Sequence, residues 1–142
     1  MHETNRIEFK RQLTDNPEKE VIAFLNYKDG GIIYIGIDDN TKEIVGVEDI
    51  DQTQLKIKDR IKNNILPSAL GLFDVIVEKR ENKNIIKIIV AAGSEPPYYL
   101  KKNGMSEKGC FMRIGSSTEP MPVKMIEELF AKRTRTSIGK IE

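Results

Sequence analysis

Hydrophobic and polar positions follow two different periods along the chain, and together they predict a mixture of strands and helices. Residues 6–10 alternate polar and apolar side chains, as a half-buried strand does. Asn16 and Pro17 are typical of a helix start, as N-cap and first helical residue. An apolar run over residues 32–37 predicts a strand, and residues 44–47 predict its return strand after a turn.

The rest of the chain predicts two more helices and a series of strands. A helix is predicted over residues 51–65, because isoleucines recur there every four positions. A hairpin over residues 73–92, short strands over 98–100 and 110–114 and a last helix over 122–132 follow. The residues of the last helix predicted to face inward are Met125, Ile126, Leu129 and Phe130. Hairpins outnumber crossover helices, so we predict an α/β (α+β) domain with a mixed, largely antiparallel central sheet flanked by about three helices.

Length and composition predict one domain with a short tail. The chain has 142 residues, with 39% hydrophobic and 32% charged side chains and a net charge of +1. We predict a domain over residues 1–132, and a polar tail or linker over 133–142 that suits a truncated chain. No apolar run approaches the roughly 18 residues that a membrane helix needs, and the start has no signal-peptide core, so we expect a cytoplasmic protein without a membrane partner. The net charge offers no general attraction for nucleic acid, so such binding would rest on local clusters.

The first candidate site consists of carboxylates near the start of the chain and after the glycine-rich strand. Glu3 and Glu8 precede Lys10, and Asp38 and Asp39 follow the strand over residues 32–37. An acidic cluster beside cations is typical either of a metal-dependent phosphodiester site or of structural ion pairs. Glu8 and Lys10 lie two apart on one strand face, where they can pair with each other, and Asp38 lies in a segment with the composition of a turn.

Cations and hydroxyl groups are the candidate contacts for nucleic-acid phosphates. Lys58 and Lys62 lie on the outside of the second helix, where a merely solvated surface is the alternative. Tyr98 could stack on an unpaired base or pack in the interior. The segment from Arg113 to Thr118 joins a cation to small donors suited to one phosphate. The residues predicted to bind nucleic acid are Lys10, Lys58, Lys62, Tyr98, Arg113, Ser116, Ser117 and Thr118.

The sequence supports neither a nucleotide-binding phosphate loop nor a zinc site. The glycines at 104 and 109 have the spacing of a phosphate-binding loop, but Cys110 and Phe111 follow where Lys and Ser or Thr are required. One cysteine and one histidine exclude a Cys/His zinc site and an internal disulfide. Cys110 is expected to act as a small core hydrophobe.

Several short motifs occur in an order that resembles one family. They are Glu3-x4-Glu8-Phe9-Lys10, Ala23-Phe24-Leu25-Asn26, Gly30-Gly31-x-Ile33-x-Ile35-Gly36-Ile37-Asp38-Asp39, Val45-Gly46-Val47, Pro67, Glu95-Pro96-Pro97 and Arg113-x-Gly115-Ser116-Ser117-Thr118. In this order they resemble the Schlafen AlbA-like domains, over roughly residues 3 to 130. The resemblance implies central strands flanked by helices, DNA or RNA as partner, and the N-terminal module of a transcriptional regulator. In such proteins a winged-helix region can follow the domain; whether the chain forms a homo-oligomer is left open.

The resemblance also implies an alternative function. In eukaryotic Schlafen members this domain looks like an RNase built on three acids, which map onto Glu3, Glu8 and Asp38, with Asp39 as the alternative to Asp38. In that case the acids would hold Mg²⁺ or Mn²⁺, and Lys10 would stabilise charge on the phosphate. A second alternative is a protein-interaction or oligomerisation module without a nucleic-acid role. We expect a nucleic-acid binder, with no cofactor certain unless it is a nuclease.

Overall fold

The structure, a computed structural model, describes residues 4–13 and 17–141, with side chains as far as Arg133. The elements in chain order are β1 (Ile7–Lys10), α1 (Pro17–Leu25), β2 (Gly31–Ile35), α2 (Ile50–Asn64), β3 (Ile65–Leu66), β4 (Phe73–Arg80), β5 (Lys83–Val90), β6 (Tyr99–Leu100), β7 (Phe111–Ile114), β8 (Ser117–Pro120) and α3 (Val123–Ile141). The predicted N-cap Asn16 lies outside the described residues. No helix within the described ranges is long and apolar enough to cross a membrane.

The central sheet has four strands in the order β1-β2-β5-β4. β1 runs parallel to β2, with Ile7 opposite Ile32, and the other two pairings are antiparallel. β3 pairs with β6, and β7 pairs with β8, in two small antiparallel sheets. The predicted α+β fold with a mixed, largely antiparallel sheet and three helices is therefore confirmed.

Both α1 and α2 contribute to one hydrophobic core with the central sheet. That core includes Phe24 of α1, Ile57 and Ile61 of α2 and the alternate residues of β2 and β5. α1 approaches β2 so closely that a Cβ added at Gly31 would lie 2.2 Å from Cδ1 of Phe24. Because β6, β7 and β8 contact α1 as well, almost every residue of this helix is buried. Two acids of its first turn are therefore buried too, and a buried carboxylate needs partners.

The hairpin of β4 and β5 closes over two residues. Glu81 and Asn82 both have positive φ, 51° and 64°, which is the backbone that a tight two-residue hairpin turn requires. The hairpin predicted over residues 73–92 is confirmed, with Glu81 and Asn82 as its turn.

Three predictions about elements were wrong. The return strand over residues 44–47 is reduced to one bridge between Ile37 and Ile44, because the amides of Val45 and Gly46 both donate to the carbonyl of Gly36. α3 continues to Ile141 instead of ending near residue 132. On α3, Met125 and Phe130 are 37% and 46% exposed, since the helix packs only through a narrow apolar stripe, in which Ile126 is buried.

Candidate nucleic-acid interface

Five side chains from four elements form an internal charge cluster, consisting of Glu8, Lys10, Glu20, Arg113 and Thr118. Nη1 of Arg113 lies 2.7 Å from Oε1 of Glu8 and donates to Oγ1 of Thr118 at 3.0 Å. Nζ of Lys10 lies 2.9 Å from Oε1 of Glu20, and the hydroxyl of Thr118 donates to the same carboxylate. The predicted alternative for Glu8 and Lys10, that they pair with each other, is replaced by pairs with α1 and β7.

Arg113 is the centre of this cluster. Its side chain is fully buried, donates from Nη2 to the carbonyl of Thr4 at 2.6 Å, and lies over the ring of Phe24 at 4.7 Å. Nη1 also lies 3.9 Å from Oε2 of Glu20. A guanidinium so enclosed is directed inward and joins β7 to the N-terminal segment. The structure therefore corrects the prediction of a direct phosphate contact by Arg113, because the side chain does not reach the surface.

The other residues of the Arg113 motif divide between interior and surface. Thr118 belongs to β8 and uses its hydroxyl inside the internal charge cluster, so it too differs from the predicted surface contact. Ser116 and Ser117 are exposed at the turn between β7 and β8, where the hydroxyl of Ser117 donates to the carbonyl of Ile114 at 3.1 Å. The segment predicted as a phosphate-binding loop is a short hairpin.

Asp38 stabilises a turn. Its Oδ1 accepts hydrogen bonds from the backbone amides of Asn40 and Thr41 at 2.8 and 2.9 Å, and its Oδ2 lies 2.8 Å from Nη1 of Arg11. These partners, the amide of Thr41 foremost, lower the pKa of Asp38 from 3.8 to about 2. The carboxylate is therefore ionised at neutral pH, with two donors from its own turn and one from Arg11.

The predicted metal ligands do not converge within the described residues. Ile33, the residue opposite Glu8 in the β1–β2 register, lies five positions before Asp38 in the chain. The two carboxylates pair with different arginines, Glu8 with Arg113 and Asp38 with Arg11. No group of three His, Cys, Asp or Glu side chains in the described part of the chain is arranged to hold a metal ion. Glu3, the third predicted ligand, lies outside the described residues. Among the described residues, Glu8 and Asp38 thus belong to two separate ion pairs, one buried and one exposed, and not to a shared set of metal ligands.

Tyr98 packs in the interior. Its side chain is 1% exposed, its hydroxyl accepts a hydrogen bond from the amide of Glu95, and its own amide donates to Oδ1 of Asn26 at 2.7 Å. A ring in this position offers no face to a base. The packing alternative is confirmed, and the base-stacking prediction is corrected.

The predicted lysines of α2 border a neutral groove. Lys58 and Lys62 are exposed and line a groove of about 290 Å³ between α2 and β4. Asp59 and Asp74 line the same groove, so two carboxylates face two ammonium groups. Arg60, on the other side of α2, makes a two-pronged pair with Glu18 of α1. This surface has cations but no local excess of positive charge.

A second groove, which we call the basic groove, has that excess. It has a volume of about 410 Å³ and is lined by Lys19, Leu100, Lys102, Asn103, Glu107, Lys108, Phe111 and Pro120. Three lysines therefore face one glutamate. Nζ of Lys19 lies 5.4 Å from the ring centroid of Phe111, and no ion pair within the described residues involves any of the three lysines. The groove thus presents ammonium groups, whereas its apolar residues Leu100 and Phe111 are each only 6% exposed.

The lysines of the basic groove come from two separate parts of the fold. Lys19 comes from the first turn of α1, where its neighbours Glu18 and Glu20 turn inward to Arg60 and Lys10. Lys102 and Lys108 come from the loop between β6 and β7, which is fixed by backbone hydrogen bonds such as the one from Leu100 to Gly109 at 2.9 Å. Sequence reasoning did not identify Lys19 or Lys108 as site residues, although the Lys101-Lys102 pair was a visible signal.

A larger cavity than the basic groove lies elsewhere, and the cations beside it have protein partners. It measures about 630 Å³ and lies beside Arg11, Lys83 and Glu48. Arg11 pairs with Asp38, and Nζ of Lys83 donates to the carbonyl of Ile44 at 3.0 Å. Its cations therefore already have protein partners, unlike the lysines of the basic groove.

Fold and surface together define a small α+β domain with a basic groove beside its first helix. The chain belongs to the Schlafen AlbA_2 family, because the model of that family, described as "Schlafen, AlbA_2", matches residues 3–122. The family expected from the ordered motifs is thereby confirmed.

Two solved structures share the fold. The DIP2311 protein from Corynebacterium diphtheriae superposes with a TM-score of 0.60 at 24% identity, over 88% of this chain and 23% of that protein. The N-terminal domain of a RecG-related protein from Nitrosomonas europaea gives a TM-score of 0.56 at 23% identity, over 82% of both chains. This chain thus spans less than a quarter of the Corynebacterium protein. No curated protein matches it.

Proposed function

We propose that this chain is a nucleic-acid-binding domain and that the basic groove is its contact surface. The observation that carries the proposal is the groove itself, in which three lysines without carboxylate partners among the described residues face one glutamate. Phosphates of DNA or RNA are the natural counterions for such a site, because binding them releases condensed salt ions. Membership of the Schlafen AlbA_2 family, together with the helicase-related name of the Nitrosomonas protein, supports the same class of partner.

Local charge matters here because the whole chain is nearly neutral. With a net charge of +1, the protein as a whole has little attraction for a polyanion. The groove between α2 and β4 is balanced by Asp59 and Asp74, and the internal charge cluster holds two carboxylates and two cations. Only in the basic groove, among these three surfaces and clusters of the described chain, do cations outnumber acids.

The alternative functions receive less support. A divalent-metal nuclease would need Glu8 and Asp38 to share an ion with Glu3, and the first two have separate arginine partners. An interaction module fits the near-neutral net charge but not the local basic groove. Five expectations from the sequence stay predictions. They are the role within a transcriptional regulator, a following winged-helix region, a homo-oligomeric state, a cytoplasmic location and the division of the chain at residue 132.

The test compares two variants of equal net charge. Lys102→Ala/Lys108→Ala removes two cations of the basic groove, and Lys58→Ala/Lys62→Ala removes two exposed cations of α2. Affinity for labelled single-stranded RNA, tRNA and duplex DNA is measured at low salt, with EDTA or with Mn²⁺, and cleavage is scored in the same samples. We expect the groove variant to bind about tenfold more weakly than the wild type, and the α2 variant to change little.

Three other outcomes would contradict the proposal. Equal losses in both variants would place the contact outside the groove, and a wild type that binds none of the nucleic acids would favour the interaction module. Cleavage that requires Mn²⁺ would favour the nuclease. Thermal unfolding of both variants is the control for folding, since all four lysines are exposed.

A further inference from the structure

We infer that the basic groove binds the phosphate backbone of a nucleic acid without reading its bases, so that binding does not depend on sequence. This inference rests on the proposed nucleic-acid binding and adds the part of the ligand that the groove recognises. The observation behind it is which of the lining residues are accessible to a ligand. The exposed ones are mostly charged, and the large apolar ones are buried.

The large apolar side chains of the groove are closed to a base. Leu100 and Phe111 are each 6% exposed, and both belong to the main hydrophobic core. Nζ of Lys19 lies 5.4 Å from the ring centroid of Phe111, so an ammonium group already lies over this ring. Pro120 is exposed but has no aromatic face, and bases stack on aromatic faces. The lining residues of the groove, all of which the structure describes, therefore offer no surface on which a base can stack.

The accessible groups are chiefly cations on a fixed loop. Lys102 and Lys108 are exposed in the loop between β6 and β7, where the amide of Cys110 donates to the carbonyl of Ser106 at 2.8 Å. A lysine ammonium is a compact charge with rotatable donors, so it attracts a phosphate in many orientations. Each phosphate of a strand has the same charge whatever base is attached. Contacts of this kind therefore carry no sequence information.

Two lining side chains have the chemistry to pair with a base edge, the amide of Asn103 and the carboxylate of Glu107. Both are exposed, so water competes for their hydrogen bonds. Because no stacking surface holds a base beside them, neither side chain fixes the position of a base edge. We therefore expect neither to contribute to sequence preference.

The experiment varies the bases while the number of phosphates stays constant. Fluorescence anisotropy measures the affinity of the wild-type protein for four strands of one length at one salt concentration: oligo(dT), oligo(dC), a mixed sequence and a fully abasic strand. We expect the four affinities to agree within about threefold, since one stacked base would change affinity by about fivefold or more. Lys102→Ala/Lys108→Ala should weaken binding of the intact and the abasic strands by the same factor.

Two single variants test the side chains that are able to read a base edge. Asn103→Ala should leave the affinities for all four strands unchanged. Glu107→Ala should tighten binding of all four alike, because it removes a charge that repels phosphates. Thermal unfolding of both variants is the control for folding.

Several results would overturn the inference while leaving nucleic-acid binding intact. They are affinities that differ by more than about threefold among the four strands, or an effect of Asn103→Ala or Glu107→Ala that is confined to one strand. Binding of RNA or duplex DNA without binding of these strands would overturn it too, since phosphates are common to all of them. Failure to bind these strands, RNA and duplex DNA alike would instead refute the proposed function.

Discussion

The internal charge cluster and the basic groove each include a residue from the first turn of α1, and they use their cations differently. Glu20 faces Lys10 and Thr118, whereas the neighbouring Lys19 faces outward over Phe111. In the cluster each cation lies within 3 Å of a carboxylate oxygen. In the groove the lysines have no carboxylate partner among the described residues. The comparison teaches that the partner and the burial of a charged residue, and not its position in a motif, indicate whether it stabilises the fold or binds a ligand.

The largest expected effect is the loss of the buried guanidinium. Arg113→Met leaves Glu8 and Glu20 near one another without their shared cation, and breaking a buried ion pair in this way costs about 3–5 kcal/mol. We expect that loss in the free energy of unfolding, measured with urea. The matched control is Arg11→Met, which removes an arginine that is 61% exposed and should cost less than about 1 kcal/mol.

A second variant tests the cause of that loss. Glu8→Gln in the Arg113→Met background neutralises the carboxylate that lies 2.7 Å from Nη1 of Arg113 in the wild type, and should recover part of the stability. If Arg113→Met unfolds at nearly the urea concentration of the wild type while its RNA affinity falls, Arg113 is a ligand contact after all. The contrast between cluster and groove would then be wrong.

A smaller effect concerns the ion pair of Asp38 and Arg11, which lies at the surface, unlike the internal charge cluster. We expect the carboxyl group of Asp38 to titrate near pH 2 in the folded protein, followed by NMR of its carboxyl carbon. Because the folded pKa is lowered, this group contributes stability above its ordinary pKa of 3.8, and loses it as the pH falls towards 2. Arg11→Ala should raise the pKa only in part, since the amides of Thr41 and Asn40 are the larger causes. A midpoint near 3.8 in the wild type would contradict the turn geometry.

The smallest expected effect concerns Cys110, two residues from Lys108 of the basic groove. Burial raises the pKa of the Cys110 thiol to about 11, so the reactive thiolate is scarce at neutral pH. A thiol reagent such as DTNB should label the native protein slowly, and the unfolded protein at once. Rapid labelling of the native protein would show that the small core of Cys110, Met121 and Ile126 opens.

Much of the fold could be predicted because its signals are local. The isoleucines of α2 recur every four residues, and two of them, Ile57 and Ile61, are indeed buried on its inner face. The hairpin of β4 and β5 was predicted from two apolar runs around a polar turn. By contrast, residues 44–47 look like a strand, yet Gly46 has φ of 81° and the amides there donate outside any ladder. The loss of this strand depends on tertiary hydrogen bonds, which the pattern of hydrophobic and polar residues does not reveal.

The candidate site was harder to predict, since it depends on contacts distant in sequence. Glu8 and Arg113 are 105 positions apart, and neither residue type reveals that the pair is buried. Lys19 lies between two glutamates in the sequence, which suggests a neutral surface. Only the folded chain shows that both glutamates turn inward and leave the lysine outside. The motifs identified the family correctly, but not which motif residues are accessible to a ligand.

The salt dependence of RNA affinity tests the central contrast most directly. The logarithm of the binding constant is plotted against the logarithm of salt concentration for the wild type, Lys102→Ala/Lys108→Ala and Lys58→Ala/Lys62→Ala. Each lost phosphate contact lowers the slope by about 0.7 for a single strand. We predict that the groove variant loses more than about one unit of slope while the α2 variant keeps the slope of the wild type. Equal slopes for the wild type and the groove variant would contradict the assignment of the basic groove as the nucleic-acid interface.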